Sequence, residues 1–333
     1  MSTLPRLAVT MGDPAGVGPE LCLRLLEDPA ACAVADPLLI GDAAVLKRCA
    51  DQLGLKFPKQ VLRGPLPAPG HGPALWDQPV FDAQDFRPGL VSAHSGRAAY
   101  HYITTAIDAA LAAEVAGVVT APINKDALHA AGISQPGHTE IFAERTASPH
   151  YAMFQYSSEV RASFVTVHCG YAEVPALLTQ ERILEVIELT AAACRKLMGR
   201  KPKLAVLGLN PHAGEQGLFG QREEERLIIP AIEEGRRRGH LLEGPLPPDT
   251  AFIPAKRRST DAFICMYHDQ GHIPLKALAF DCAVNVTLGL PIIRTSVDHG
   301  TACDIAWQGK ADMGSLRQAF LLAAKLHQDG SPL

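Results

Sequence analysis

The sequence predicts an α/β fold in which a mostly parallel sheet is covered by helices on both faces. Apolar runs of strand length alternate along the chain with helical patterns, and this alternation is typical of parallel sheets. Three of the apolar runs end at a histidine, namely His168, His212 and His268. Because ligands bind just outside the carboxyl ends of the strands in open α/β sheets, these ends are the first candidates for a functional site.

The predicted strands and helices follow one another along the whole chain. Buried strands are predicted at 7–11, 38–40, 117–120, 153–156, 160–167, 204–209, 262–266 and 284–288. Helices are predicted at 21–26, 43–53, 95–113, 181–198, 223–238, 302–307 and 315–327. The Pro- and Gly-rich stretch 58–88 is either a linker between lobes or a run of short edge strands, and 244–250 is a rigid loop.

The composition indicates a globular protein of one or two domains. Of the 333 residues, 47% are apolar and 20% are charged, and the net charge of −4 includes no basic block, so we expect no nucleic-acid partner. No apolar run is long enough to span a bilayer, and the amino terminus has no signal-peptide pattern. The eight cysteines include no C-x-x-C pair, which favours reduced thiols in a cytoplasmic protein without a membrane partner.

A glycine-rich turn at 12–20 joins the first strand to the first helix. Such a turn is either a phosphate or substrate loop or a tight connection with Pro19 at the first helical position. Neither G-x-G-x-x-G nor G-x-x-x-x-G-K-[ST] occurs in the chain, so both common nucleotide-binding fingerprints are missing.

Two further polar turns open helices. Asn124 is well placed to cap the first of these helices. His138 and Thr139 either cap the second helix or bind an anion at its positive end, and the spacing alone favours the cap.

The three strand-end histidines can meet at one edge of the sheet. Three nitrogen ligands with an open fourth position make a catalytic site for a divalent metal. The alternative is that each histidine is a structural residue, since the chain has thirteen. Asp269, which follows His268, is either a carboxylate that orients an imidazole or a cap.

Lys276, Asn285 and Arg294 each lie near the end of a short apolar segment. Together they offer two positive charges and an amide, a set that suits a phosphate or a carboxylate. The alternative is that they are unrelated polar groups on the surface.

Several longer blocks are the most specific feature of the chain. They are MGDPAG at 11–16, NK at 124–125, PGHTE at 136–140, NPHAGE at 210–215, YHDQG at 267–271 and GLPIIRTSVDHGTA at 289–302. Together these blocks resemble the 4-hydroxythreonine-4-phosphate dehydrogenase family. The resemblance extends from about Leu7 to the last helix, so it covers nearly the whole chain.

The resemblance implies an NAD-dependent enzyme of pyridoxal phosphate (vitamin B6) synthesis. It implies a divalent metal that is bound by His168, His212 and His268. It also implies contacts to the substrate from His138, Thr139, Lys276, Asn285 and Arg294. Members of the family are homodimers with the active site at the subunit interface, and by family position the ligand at 268 comes from the partner chain.

The implied fold is that of isocitrate and isopropylmalate dehydrogenases, two α/β lobes around a central cleft. We therefore expect residues 1–333 to form a single catalytic unit of two interleaved lobes. That fold binds NAD without G-x-G-x-x-G. The loop that contains His299, Gly300 and Asp304 resembles the adenosine loop of those enzymes, and the glycine-rich turn at 12–20 resembles their own early turn.

The implied reaction is the oxidation of 4-hydroxythreonine 4-phosphate with decarboxylation to 3-amino-1-hydroxyacetone phosphate. The substrate hydroxyl, made more acidic by the metal, loses its proton to a base as hydride leaves for the nicotinamide. Lys276 and Asp249 are both candidates for that base. Zinc, cobalt, magnesium, nickel or manganese can serve as the metal, and NAD or NADP as the cofactor.

Two departures from the family pattern leave the substrate open. Cys169-Gly170-Tyr171 follows His168, where the family usually has a continuation with Pro-Leu. The block 271–276 is closer to relatives that oxidise threonate 4-phosphate, erythronate 4-phosphate or cis-dihydrodiol dicarboxylates. The intact set of substrate-contact residues favours a phosphorylated hydroxy acid.

Two activities of other classes are alternatives. A metal-dependent hydrolase would use the three histidines to activate water and would need no dinucleotide, so the loop at 299–306 argues against it. A non-catalytic sugar-phosphate binding protein would not need the metal-ligand set.

Overall fold

The computed structural model describes residues 4–80, 87–279 and 282–327. The chain divides into two compact units. The first unit holds the residues up to Pro149 and those from Leu290 onward, and the second holds His150–Gly289. The three strand-end histidines all lie in the second unit.

The strands and helices alternate, which confirms the α/β class. In chain order the strands are β1 (Arg6–Thr10), β2 (Asp36–Gly41), β3 (Val61–Leu62), β4 (Ala74–Asp77), β5 (Val118–Thr120), β6 (Ala152–Tyr156), β7 (Arg161–Phe164), β8 (Lys203–Leu207), β9 (Leu241–Leu246), β10 (Ala262–Cys265), β11 (Val284–Leu288) and β12 (Arg294–Val297). The α-helices are α1 (Gly18–Leu25), α2 (Pro29–Val34), α3 (Ala43–Leu53), α4 (Ala93–Leu111), α5 (Lys125–Ala130), α6 (His138–Arg145), α7 (Val174–Leu177), α8 (Gln180–Met198), α9 (Ile229–Arg237), α10 (Pro248–Ala251), α11 (Pro254–Ser259), α12 (His268–Ala279) and α13 (Gly314–His327). Shorter 3₁₀ and π turns cover Tyr171–Glu173, Pro211–Gly217 and Glu224–Ile228.

The first unit is built on parallel strands in the order β3-β4-β2-β1-β5-β12. β1 and β2 are buried along their whole length, as expected of strands that helices cover on both faces. Asp42, Ser92 and Asn124 accept backbone N–H bonds at the starts of α3, α4 and α5. The cap predicted at Asn124 is therefore confirmed.

The second unit has the strand order β11-β6-β7-β10-β8-β9. β11, β6 and β7 pair antiparallel, whereas β7, β10, β8 and β9 are parallel neighbours. Phe263 of β10 lies in register with Ala162 of β7 and with Ala205 of β8. The carboxyl ends of these three strands therefore lie side by side at one edge.

Most predicted elements form, with differences at their ends. Helix 43–53 and strand 284–288 have the predicted bounds. In the Pro- and Gly-rich stretch 58–88, β3 and β4 are short strands at the edge of the first unit, which supports the interpretation as edge strands. Residues 81–86 of that stretch lie outside the described part of the chain.

Two expectations about secondary structure are wrong, and one helix was missed. The residues predicted as helix 302–307 form turns, because Ala302 and Trp307 have φ of 41° and 58° and an α-helix contains no left-handed residue. The expected loop at 244–250 instead contains the end of β9, which pairs with β8, and most of α10. Helix α12 was not predicted, since Gly271 and Pro274 lie inside it and both disfavour helix.

Two further expectations concern membrane-spanning helices and the state of the cysteines. No helix in the described ranges is long and apolar enough to cross a bilayer. The eight cysteines are all free thiols, as their spacing predicts.

Candidate active site

Beyond the end of β7, hydrogen bonds continue to join the chain before His168 to the end of β10 and the residue that follows it. The backbone N–H of Val165 donates to the carbonyl of Cys265 over 2.9 Å. The Thr166 hydroxyl donates to the carbonyl of Met266 over 2.8 Å. These bonds hold the segment before His168 beside the segment before His268, and the His168 side chain is exposed.

His168 and His268 lie close together beside a pocket. Their ring centroids are 6.0 Å apart and their planes are inclined by 41°. The pocket has a volume of about 220 Å³ and is lined by Val167, His168, Cys169, Tyr171, Val174, Tyr267, His268 and Asp269. Two of the three predicted imidazoles thus face one cavity.

Asp269 orients one of these two imidazoles. Its Oδ1 lies 2.7 Å from Nδ1 of His268. Because a carboxylate that accepts from one ring nitrogen leaves the other available to a ligand, this contact suits a metal-binding histidine.

His212 lies on a strained turn that follows β8. Residues 212–216 are all left-handed, with φ between 44° and 81°. Such a conformation costs a non-glycine residue about 1–2 kcal/mol, so other interactions must hold it. Strain of this kind is concentrated at functional sites.

The buried carboxylate of Glu224 holds the turn in place. It accepts from the backbone N–H groups of Leu209 and Asn210 over 2.9 Å and 2.8 Å. It also accepts from the Asn210 side chain over 3.0 Å. A Cβ on Gly214 would lie 2.6 Å from the same carboxylate, so only glycine fits there.

Part of a metal-ligand set is present in one chain. Within residues 4–80, 87–279 and 282–327, no three His, Cys, Asp or Glu side chains already stand together as a metal-binding group. His168 and His268 are adjacent, and His212 follows β8 on the other side of β10. Exposed or half-buried imidazoles at neighbouring strand ends fit a divalent ion chemically. The three-histidine site remains a prediction.

Gln270, which sequence reasoning missed, connects two of the strand ends. Its Oε1 accepts from the backbone N–H of Met266 over 2.7 Å. Its Nε2 donates to the carbonyl of Gly208 over 2.7 Å. The buried amide therefore links the segment before His268 to the segment before His212. Gln270 lies in the first turn of α12, and a polar residue there carries no sequence signal that would have revealed this role.

In the first unit, Arg294 is a buried charge. Its side chain is 1% exposed, lies 5.6 Å from the centre of the Phe142 ring and donates to the Thr120 hydroxyl over 3.2 Å. Burial lowers the pKa of Arg294 to about 9, although Glu140 acts in the opposite direction. Arg294 is therefore not one of a set of unrelated surface charges.

His138 and Thr139 lie at the start of α6, in the same unit as Arg294. Burial, and then the charge of Arg294, lower the pKa of His138 well below its usual value. Among the described residues its buried Nε2 has no hydrogen-bond partner. The cap interpretation is wrong, because Gly137 is the N-cap residue and no side chain caps this helix. These features fit an anion site.

The remaining predicted residues of the second unit lie on three elements. Lys276 is half-buried near the end of α12. Asn285 lies on β11, and in the described structure its buried Oδ1 has no hydrogen-bond partner. Asp249 is exposed on α10, which packs against the turn that carries His212. The choice between Lys276 and Asp249 as base remains open.

The predicted cofactor residues lie in the first unit. His299 Nδ1 donates to the carbonyl of Gly300 over 2.9 Å, and Asp304 is exposed. The glycine-rich turn packs against the same loop, because the Val17 N–H donates to the carbonyl of Thr301 over 3.0 Å. A Cβ on Gly16 would lie 2.8 Å from Thr301, so glycine permits this close contact. The two loops, which are distant in sequence, therefore lie side by side.

Comparison with known proteins defines the class. A solved 4-hydroxythreonine-4-phosphate dehydrogenase from Klebsiella pneumoniae superposes with a TM-score of 0.84 at 41% identity, over 97% of this chain and 100% of that one. A terephthalate 1,2-cis-dihydrodiol dehydrogenase from Burkholderia xenovorans superposes with a TM-score of 0.68 at 30% identity, over 99% of each chain. The protein is thus an oxidoreductase of the CH–OH-oxidising class with an isocitrate dehydrogenase-like α/β fold.

Curated relatives and a family model identify the family. A 4-hydroxythreonine-4-phosphate dehydrogenase from Desulforapulum autotrophicum is 44% identical, over 96% of this chain and 95% of that protein. A D-threonate 4-phosphate dehydrogenase from Pectobacterium atrosepticum is 41% identical, over 96% of this chain and 98% of that protein. The model of the family described as pyridoxal phosphate biosynthetic protein PdxA matches residues 33–323. The chain belongs to this family, which confirms the resemblance seen in its motifs.

Proposed function

We propose that the protein oxidises 4-hydroxythreonine 4-phosphate with NAD or NADP and a divalent metal, and that decarboxylation yields 3-amino-1-hydroxyacetone phosphate. The observation that carries the proposal is the placement of three imidazoles at the carboxyl ends of strands of one sheet, where His168 and His212 are exposed and Asp269 orients His268. We take the substrate from the names of relatives, such as the 4-hydroxythreonine-4-phosphate dehydrogenase from Desulforapulum autotrophicum.

A second substrate is nearly as well supported. Relatives named D-threonate 4-phosphate dehydrogenase are 41% and 42% identical to this chain. Erythronate 4-phosphate and a cis-dihydrodiol dicarboxylate are further alternatives for the same chemistry. The buried guanidinium of Arg294 suits the phosphate of the phosphorylated compounds, and it equally suits a carboxylate, because a guanidinium binds either anion through two hydrogen bonds.

The proposed mechanism assigns a task to each group of residues. His168, His212 and His268 hold the divalent ion, and Arg294, His138 and Thr139 bind the phosphate group. The imidazole of His138 is neutral, and its Nε2 is buried. Nε2 can donate a hydrogen bond to a phosphate oxygen or accept one from a protonated phosphate oxygen. Asn285 contacts the substrate from the second unit, where its Oδ1, buried without a partner among the described residues, can accept a hydrogen bond from a hydroxyl or amino group of the substrate.

The proton and hydride steps complete the proposal. Lys276 or Asp249 removes the hydroxyl proton of the substrate. When bound, the ion stabilises negative charge on the substrate oxygens and the nicotinamide accepts hydride. The loop with His299, Gly300 and Asp304, together with the glycine-rich turn, holds the dinucleotide.

We also propose a homodimer whose partner subunit supplies the third metal ligand, at position 268. Large apolar side chains on the second unit remain uncovered in one chain, with Tyr171 70% exposed and Ile273 66% exposed. A second copy of the chain that packs on these side chains would remove them from water. We expect mixing of His212→Ala and His268→Ala proteins, each inactive alone, to restore activity, because hybrid dimers regain one complete site. A mixture that stays inactive although hybrids form would contradict the shared site.

The free thiols support a reducing compartment, and we propose a cytoplasmic location.

NADH formation tests the proposed reaction. Metal-loaded protein is offered 4-hydroxythreonine 4-phosphate, threonate 4-phosphate, erythronate 4-phosphate and a cis-dihydrodiol dicarboxylate, each with NAD and with NADP. The highest kcat/KM with the first compound supports a role in pyridoxal phosphate synthesis. Preference for another compound moves the protein to a different pathway with the same chemistry, and no NADH with any of them contradicts the dehydrogenase assignment.

A further inference from the structure

A second histidine supports His268 from inside the protein. His272 lies one turn further along α12, with its side chain 5% exposed. The rings of His268 and His272 are stacked, with centroids 3.8 Å apart and planes inclined by 11°. One face of the His268 imidazole is therefore covered by a buried ring.

The other face of His272 lies on Phe164, the last residue of β7. Their centroids are 4.4 Å apart and their planes are inclined by 22°. Gly271 permits this approach, because a Cβ there would lie 2.7 Å from Cε1 of Phe164. The ring of His272 is thus held between Phe164 and His268.

Hydrogen bonds fix the ring in its own plane. Nδ1 of His272 lies 2.9 Å from the carbonyl oxygen of His268, which can only accept, so Nδ1 carries the proton. Nε2 then accepts from the side-chain amide of Gln155, at 3.2 Å. Both nitrogens have partners inside the protein, so His272 supports the site without contributing a ligand of its own.

Gln155 extends this support to another predicted site residue. It is fully buried on β6, directly opposite Asn285 of β11. Opposed residues of an antiparallel pair point to the same face of the sheet. Gln155 therefore joins the region of Asn285 to the stack beneath His268.

We propose that His272 is a positioning residue that fixes the orientation of the His268 imidazole for metal binding. This inference rests on the proposed function of His268 as a metal ligand. Asp269 holds the edge of the His268 ring and His272 holds its face. A ligand oriented in advance binds its metal more tightly, since less freedom is lost on binding.

The test compares two substitutions of His272 in the full-length protein. His272→Leu removes the stacked ring and both hydrogen bonds, whereas His272→Phe keeps a stacked ring. Co²⁺ binding is measured by titration calorimetry, beside the free energy of unfolding. We expect His272→Leu to weaken Co²⁺ binding by about 10-fold or more, and His272→Phe to weaken it less than His272→Leu does.

Thr190→Val is the matched control for lost stability. Thr190 is fully buried in the same unit and donates to Ser163 over 2.6 Å. This control should lower the free energy of unfolding and leave the Kd for Co²⁺ unchanged.

Two results would overturn the proposal. The first is a His272→Leu protein with wild-type Kd for Co²⁺. The second is a loss of affinity that is equal in the Leu and Phe variants, since stacking would then have no part. His268→Ala separates this failure from a failure of the metal site: if it binds Co²⁺ normally, His268 is not a ligand at all, and the positioning role fails with it.

Discussion

The two units place their candidate functional groups in opposite environments. In the second unit, His168 and His212 are exposed at strand ends and His268 is half-buried beside a pocket. In the first unit, Arg294 is almost completely buried beside His138. Accessible imidazoles suit a metal ion, whereas a guanidinium withdrawn from water binds an anion strongly because little solvent competes. Under the proposed assignments, the second unit therefore binds the metal and the first unit binds the phosphate.

Loss of a strand-end imidazole should have the largest effect. We expect His212→Ala to lower kcat/KM by at least about 100-fold, because several kcal/mol of transition-state stabilisation depend on the metal. The far-UV CD spectrum should be unchanged, since the side chain is exposed. His240→Ala is the matched control, because His240 is a histidine of the same unit that precedes β9 and therefore lies at the amino-end edge of the parallel strands. Wild-type kcat/KM in His212→Ala would contradict the metal assignment.

Replacement of the buried guanidinium should affect binding of the phosphate. We expect Arg294→Ala to raise KM for a phosphorylated substrate by about 30-fold or more, the equivalent of at least about 2 kcal/mol for a buried charged contact. Arg294→Lys should recover only part of this loss, because an ammonium cannot form the two-bond contact. Steady-state kinetics of both variants provide the test. A change confined to kcat would show that Arg294 acts on the transition state instead.

Replacement of a buried carboxylate of the glycine-rich turn should have the smallest effect, which we expect in the dependence of stability on pH. Burial raises the pKa of Asp13 to about 6, against hydrogen bonds from the Ala15 N–H and the Ser95 hydroxyl. A raised native pKa gives stability that is fully present below the ordinary value of 3.8 and is lost as pH rises through about 6.

Asp13→Asn should remove this dependence on pH. In urea unfolding between about pH 4 and about pH 7, the wild type should lose stability relative to Asp13→Asn as pH rises. Parallel curves for the two proteins would show that Asp13 does not titrate in this range.

Much of the second unit's site could be predicted from the sequence, because strand ends are a local signal. The apolar run 262–266 predicts a buried strand, and the end of the run predicts that His268 lies at the edge of the sheet. The apolar run before His168 likewise predicts that this histidine lies at the edge of the sheet. The parallel register of β7, β10 and β8 then brings the three ends to one edge.

The conformation around His212 could not be predicted. Its left-handed turn depends on Glu224, which belongs to a later element of the chain. Local sequence favours a right-handed backbone at each of the non-glycine positions. Only Gly214, where a Cβ would meet the carboxylate, hints at the turn.

The burial of Arg294 could not be predicted either. Its surroundings come from Thr120 and Phe142, more than a hundred residues earlier in the chain. An arginine at the start of a short strand is more often exposed, so the sequence alone favours a surface charge at this position, and the burial of Arg294 shows that expectation to be wrong.

The separation of metal and phosphate binding is tested most directly by measuring each alone. Co²⁺ and inorganic phosphate are titrated separately, by calorimetry, into wild-type, His168→Ala and Arg294→Ala proteins. We predict that His168→Ala loses Co²⁺ binding and keeps phosphate binding, and that Arg294→Ala does the reverse. Wild-type Co²⁺ affinity in His168→Ala, or wild-type phosphate affinity in Arg294→Ala, would contradict the assignment of the corresponding unit.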